Sequence, residues 1–499
     1  MEIWAMILAG IALLSISTAG VVYARRTQQS VEEYISARGS LGGLSATATT
    51  VASVAGAWVL FSPAEAATWA GLVAVVGYAI GQAGPIIAFL VIGPRIRALM
   101  PQGHSLAEFV WYRFGRPMYA VTLAIMILYM FTFLAAEMGA SARAVGLVTG
   151  APLAITLLLV GGATLAYAAY GGLRTSIFTD KIQFLLIMPL LVVIFAIAIA
   201  EIGGWDAAFQ PLQESNPQLL SMSYTPGIEF GITLIIAITA ANLFHQGFWQ
   251  RVYAAKGVTE LRTGFLLAAI LVIPMIIAGG LFGLWAVGQD LINAENPGSI
   301  ALFVLAMEFL PPWALIALVI LAMMLVMSSM DTLLNGIASV ITSDIPRIRK
   351  GIVGQPLLRF SRWVTVILIL PAALVGWAFD SVLYLFLIAD LVCAGAMIPV
   401  FLGMYSAKFH GSGAIVSSLT GIAAGAIFFP TRSLSGWWEW DELTDLWHLL
   451  ASGNLLGSFL VAILVSAFVS AIFLGLRWRT REFQFESLSM IDVSLDRPR

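Results

Sequence analysis

The chain has 499 residues, of which 60% are hydrophobic and 10% charged, and its mean hydropathy is +0.94. Such a balance excludes a large soluble enzyme and describes a polytopic chain dissolved in a lipid bilayer. With 25 Lys and Arg against 27 Asp and Glu, the formal charge of -2 leaves no basic domain for nucleic acid, and the single cysteine, Cys393, excludes disulfides and cysteine metal sites.

Reading apolar windows of about 20 residues along the chain gives about thirteen expected spans. They run Trp4–Ala24, Leu44–Ala67, Trp69–Ile92, Met118–Ser141, Ala151–Tyr170, Ser176–Ile202, Gly227–Gln246, Leu261–Val287, Trp313–Thr342, Trp363–Phe379, Val382–Ala407, Ser412–Phe429 and Leu455–Leu476. The first is followed by Arg25 and Arg26 and has no convincing small-residue cleavage site, so it is expected to be a retained helix and not a signal peptide. Placing the N-terminus outside sorts nearly every Lys and Arg, including Arg95, Arg113, Arg174, Arg251, Lys256 and Arg362, into cytoplasmic loops. Only Arg143 and Arg432 then fall outside, among acidic outer residues such as Asp206, Asp290, Glu439, Asp441, Glu442 and Asp445. The expected location is therefore a plasma or inner membrane, with the N-terminus outside and the C-terminus cytoplasmic. The 477–499 tail reads as short and polar, and no Walker motif suggests an ATP-driven pump.

The chemistry concentrates between Val326 and Thr342, where two serines, an aspartate, a threonine and an asparagine interrupt an apolar run. Polar groups in hydrocarbon are costly unless they face a cavity, an ion or another helix, which makes this cluster a candidate functional site. Ser328, Asp331 and Thr332 stand at i, i+3 and i+4, on one helix face. An all-oxygen set of this kind suits a hard cation. Two other spans are interrupted at matching places, one by Gly56 beside Ser53 and Ala57 and the other by Asn242, His245, Gln246 and Gly247, as expected of a transporter site between two repeats.

Four stretches carry a resemblance. They are VEEYISARGSLGGLSATATTVASVAGAW (31 to 58), YGGLRTSIFTDKIQ (170 to 183), HQGFWQRVYAAK (245 to 256) and PVFLGMYSAKFHGSGAIVSSLTGIAAG (399 to 425). Together with the serine cluster they resemble the sodium/solute symporter family, which includes sodium-coupled proline, sugar and vitamin carriers. The resemblance implies an all-α integral membrane protein of LeuT type in one transporter domain. Two inverted repeats of five helices are implied, about 44–203 and 227–407, with extra helices 4–24, 412–429 and 455–476. It further implies a sodium site on the carbonyls of Ala52, Ala55 and Leu325 and the hydroxyls of Ser328 and Ser329. A second ion site on Asp180, Asp331 and Thr332 is the weaker implication, because Asp331 stands where a hydroxyl is usual. With two carboxylates present, that ion is either sodium or a proton, and the alternative for Asp180 is a helix cap or a pair with Lys181 or Arg174.

The substrate is expected among Ser53, Gly56, Trp58, Glu137, Asn242, His245 and Asp390, with His245 also readable as a structural histidine. No arginine is expected deep in a span. The function expected is sodium-coupled import of a small polar solute by alternating access, with an amino acid such as proline favoured. The alternatives are a urea, polyamine-type or sugar symporter, possibly coupled to protons. A channel would need a repeated carbonyl filter, and a membrane enzyme a catalytic motif such as HExxH. Neither is visible, so no enzyme activity and no organic cofactor is expected, only sodium, the solute and the bilayer as partners, with a monomer as the functional unit.

Overall fold

The computed structural model describes residues 2–27, 30–348, 352–378, 381–430, 454–476, 482–491 and 495. Helix α1 (Glu2–Arg26) is followed by the short α2 (Val31–Ile35), then by α3 (Gly43–Val54), a 3-10 turn (Ala57–Leu60) and α4 (Ser62–Leu99). Next come α5 (Leu106–Phe114), α6 (Arg116–Thr149), α7 (Leu153–Ile202) and α8 (Trp205–Ser215). The second half holds α9 (Thr225–Leu243), α10 (Gln246–Ala254), α11 (Val258–Gly288), α12 (Ala301–Phe309), α13 (Pro312–Ile348), α14 (Gln355–Ala378), α15 (Val382–Leu402) and α16 (Gly411–Ile427). The last elements are α17 (Leu455–Leu476) and the single turn α18 (Glu486–Ser489).

Among the described residues ten helices are long and apolar enough to cross a membrane, with two shorter apolar helices beside them. The expected thirteen exceed ten partly because α4 and α7 each consist of two helical pieces joined at a kink and count once here. The bends are at Gly71 (φ 73) and Gly172 (φ 58), positive φ values that side chains disfavour. At Gly172 a Cβ would also lie 2.5 Å from the Tyr34 ring, so α2 packs directly on the α7 bend.

Small residues bring the central helices close. A Cβ on Gly77 of α4 would meet the Gly231 backbone of α9 at 2.4 Å, and one on Gly283 of α11 would meet the Ala64 carbonyl of α4 at 2.1 Å. Helices α3, α4, α9 and α11 therefore pack backbone to backbone, and α6, α7 and α13 pack beside them. The tail differs from its polar expectation where it is described. Phe483 and Phe485 lie against the Arg113 guanidinium at 4.4 and 5.6 Å, and Leu488 and Leu495 are buried. The outer residues Arg432, Glu439, Asp441, Glu442 and Asp445, and the rest of the 477–499 tail, lie outside the described residues.

Candidate functional site

Two helices are broken inside the bundle. The first break follows Val54, where Ala55 leaves the helical conformation (ψ 101) and Gly56 is extended before the 3-10 turn begins. Breaking a helix in an apolar interior frees backbone groups that need partners. Here Glu137 of α6 supplies them, its Oε2 accepting the Ala57 N–H at 2.7 Å and its Oε1 the Trp58 N–H at 3.3 Å. Ser329 of α13 donates to the same Oε2 at 2.7 Å, with Leu325 O and Val326 O each 3.2 Å away. Gly56 is required by this arrangement, since a Cβ there would sit 2.3 Å from Glu137 Oε1.

The second break lies between α9 and α10 at Phe244 and His245. His245 closes it locally, its Nδ1 accepting the Gly247 N–H at 2.9 Å as an N-cap. Gln246 then donates to the His104 carbonyl at 2.7 Å, tying α10 to the α4–α5 connection.

Below the first break, Arg251 of α10 and Asp180 of α7 form an ion pair of 3.0 Å, both essentially without solvent contact. The guanidinium also donates to Thr49 Oγ1 (3.2 and 3.3 Å), Thr332 Oγ1 (3.0 Å), the Gly247 carbonyl (3.3 Å) and Ser53 Oγ. Asp180 accepts from Ser328 at 2.6 Å, and from Thr49. A buried pair holds only when hydrogen bonds satisfy its remaining atoms, and here hydroxyls of α3 and α13 do so. Asp331 turns instead towards α7, accepting from Ser176 at 2.7 Å and Thr179 at 3.3 Å.

A cavity lies between α3, α4, α6, α9 and α15. Its walls are aromatic, from Trp58, Tyr78, Tyr129, Phe133 and Phe386, and its polar groups are Gln82, Asn242 and Asp390. Trp58 and Tyr78 stack with centroids 5.7 Å apart, and the Phe386 ring stands edge-on to Trp58 at 6.2 Å and to Phe133 at 4.9 Å. Asp390 is buried among these rings, and no Lys or Arg lines the cavity among the described residues.

Of the residues expected at the substrate, Trp58, Asn242 and Asp390 line this cavity, whereas Ser53, Gly56, Glu137 and His245 do not. Ser53 belongs to the Arg251 network, Gly56 and Glu137 build the first break, and His245 caps the second. Adjacent Ser328 and Ser329 face different carboxylates, as residues one apart on a helix must. Asp180, Ser328 and Thr332 do converge, but around Arg251. The expectation that no arginine lies deep is corrected by Arg251, 1% exposed. Counting it as a loop residue misplaced it, because the chain enters α10 straight from a broken helix and the side chain runs inwards. Asp180 pairs with Arg251 and not with Arg174, which holds Glu33. The aromatic partners of Trp58 were missed entirely, since aromatic residues in apolar spans carry no local signal of a cavity.

Interrupted helices around a polar and aromatic cavity are the organisation of a secondary transporter. The sodium:solute symporter family model matches residues 34–421, and the chain belongs to that family. It is 28% identical to a spermidine transporter of Candida albicans over 433 residues, covering 86% of this chain and 80% of that one. It is 26% identical to a sodium/glucose cotransporter of Vibrio parahaemolyticus, covering 82% and 81%. A solved sodium-coupled sialic acid symporter shares the fold, with a TM-score of 0.78 at 18% identity over 96% of this chain and 99% of that one.

Proposed function

We propose that this symporter imports a small organic cation together with one sodium ion by alternating access. The observation that carries the reading is Asp390, a buried carboxylate with no hydrogen bond to any described residue, facing a cavity walled by aromatic rings. A buried charge requires a counter-charge, and an ammonium group held by a carboxylate and ring faces supplies one. An amino acid would bring its own carboxylate against Asp390 and find no arginine or lysine there among the described residues, so the amine outranks proline. The likeness to a spermidine transporter supports the same choice.

In this reading the sodium ion sits at the first break, with the carbonyls of Ala52, Ala55 and Leu325 and the hydroxyls of Ser328 and Ser329. An oxygen-only set suits sodium. Support comes from Ser329, which is joined through Glu137 to the Ala57 and Trp58 amides. Trp58 also lines the cavity, so substrate contact on its ring and ion contact on α13 meet at Glu137. Coupling of this kind is reciprocal, each ligand raising the affinity of the other by one factor. Asp180, Asp331 and Thr332 hold no second ion in this reading, since Arg251 already neutralises Asp180. The two breaks, in α3–α4 and α9–α10, are counterparts in the two repeats 44–203 and 227–407.

The test is a thermal-shift measurement on the purified protein with alkylamines, amino acids, urea and sugars, with and without sodium. A sodium-dependent shift with amines that Asp390→Asn abolishes is the expected outcome. A shift with proline or a sugar that survives Asp390→Asn would overturn the cation reading.

A further inference from the structure

The chain beyond α17 returns to the bundle and meets two separate parts of it. The Phe483 N–H donates to the Ala407 carbonyl at 3.0 Å. Phe485 lies over the Arg95 guanidinium at 5.3 Å as well as over Arg113, and Leu488 of α18 is buried. Both arginines also clamp backbone. Arg113 donates to the carbonyls of Gly403 at 3.0 Å and Phe409 at 2.8 Å, and Arg95 to that of Met404 at 3.0 Å. The end of α4, α5 and the α15–α16 turn are thereby joined into one block, on which the first part of the tail is seated.

Leu495 belongs elsewhere. It is buried with Val31, Tyr34 and Ile35 of α2 and with Leu357 and Leu358 of α14, and its carbonyl accepts the Gly354 N–H at 3.2 Å. Tyr34 Oη donates to the Ala169 carbonyl at 3.0 Å and Arg362 to the Tyr170 carbonyl at 3.1 Å, so α2 and the start of α14 form a second block on the α7 bend.

The inner arms of both broken helices are bonded to these blocks. The start of α3 and the end of α10 are joined by Leu41, whose N–H donates to the Ala254 carbonyl and whose carbonyl accepts the Lys256 N–H, each at 2.9 Å. Gln246 of α10 reaches the first block at His104, and Gln250 of the same helix reaches the second, donating to the Ile35 carbonyl at 2.9 Å. Glu32 and His104 tie the blocks directly at 2.7 Å. Parting the arms on this face therefore means moving one block against the other, and the tail is anchored on both.

We propose that the C-terminal tail is a strap, with Phe483, Phe485 and Leu488 on one block and Leu495 on the other, that holds this face of the transporter closed. Its release at Leu495 accompanies opening on that side. This rests on the alternating-access reading but not on the identity of the solute.

Maleimide labelling of the full-length purified protein tests the strap, in a Cys393→Ala background that removes the single native cysteine. Thr50→Cys reports on α3 at the strapped face, and Ser62→Cys on α4 beyond the first break; both positions are buried. Leu495→Ser should raise the labelling rate of Thr50→Cys about tenfold, because burial of one leucine shifts an equilibrium by at least that factor. Phe485→Ala should act in the same direction from the other anchor, and it carries the test if Leu495→Ser does not fold. Leu495→Met keeps the volume and should stay within about twofold of the parent. Ser62→Cys should not speed up in any of them, since strap release opens one face whereas general loosening exposes both. Unchanged labelling of Thr50→Cys in both tail variants, or equal acceleration at the two cysteines, overturns the strap. With the tail intact, sodium should move the two labelling rates in opposite directions; if neither responds to sodium, alternating access itself falls.

Discussion

The two broken helices solve one problem in opposite ways. At the first break the freed amides of Ala57 and Trp58 are held by Glu137 from another helix, and Ser329 from a third helix shares the same oxygen. At the second break His245 accepts the Gly247 N–H two residues on, and no distant helix is needed to cap it. A remote cap makes helix geometry depend on α6 and α13, so it can sense an ion or a substrate. A local cap makes the turn self-contained, so it acts as a rigid joint.

The largest effect is expected from Glu137→Ala, which strands two buried amides and should cost about 2–6 kcal/mol. Transport should be lost and the melting temperature should fall steeply, whereas Glu137→Gln keeps an acceptor and part of the stability. Near-native melting of Glu137→Ala would show that the first break is capped some other way.

Arg251→Ala should follow closely, at about 3–5 kcal/mol, because it leaves Asp180 charged, buried and unpaired. The double variant Arg251→Ala with Asp180→Asn should recover part of that loss. Additive losses in thermal unfolding would contradict the pairing.

Asp331→Ser sharpens the contrast in ion number. Since Asp331 is held by Ser176 and Thr179 and meets the Arg251 cluster only through Thr332 Oγ1 at 3.3 Å, the sodium-to-substrate ratio read from reversal potentials in proteoliposomes should stay at one. A lower ratio would return Asp331 to a second ion site.

Smaller still is His245→Ala, expected to cost about 1 kcal/mol as a lost N-cap, with His245→Asn nearly neutral. Substrate affinity should change little in either variant, because His245 lies outside the cavity. A large rise in KM for His245→Asn would place it at the substrate after all.

The mildest probe is pH, acting where Gln246 anchors the second break to His104. Burial alone would lower the His104 pKa, but Glu108 and Glu32 outweigh it and raise it to about 9. Burial would raise Glu32, but His104 and Arg38 outweigh that and lower it to about 2. The His104 contribution is therefore complete below its ordinary 6.5 and disappears as pH rises through about 9. The Glu32 contribution is complete above its ordinary 4.5 and disappears as pH falls through about 2. The protection factors of residues 31–42, with exchange referred to the intrinsic rate at each pH, should be largest between these limits and fall towards pH 9, and His104→Gln should remove the alkaline fall. A flat profile in the wild type would show that this contact does not hold the segment.

Much of the architecture was legible because lipid enforces a simple rule: apolar runs become helices, and polar residues inside them have a purpose. Gly56 and the His245–Gly247 stretch marked the breaks, and Ser328 with Thr332 marked a polar helix face, from local spacing alone. Burial of Arg251 was not legible. A cation counts as a loop residue until three helices supply Thr49, Asp180 and Thr332 from distant parts of the chain. Glu137 was read as a substrate group for the same reason, since only assembly reveals that two amides 80 and 79 residues away are waiting for it. The sequence by itself determined the membrane-spanning helical class, the family and the places where helices break. Tertiary structure decided which polar residues face the cavity, which neutralise one another and which cap a break, because each of those choices is a pairing between residues that no local pattern connects.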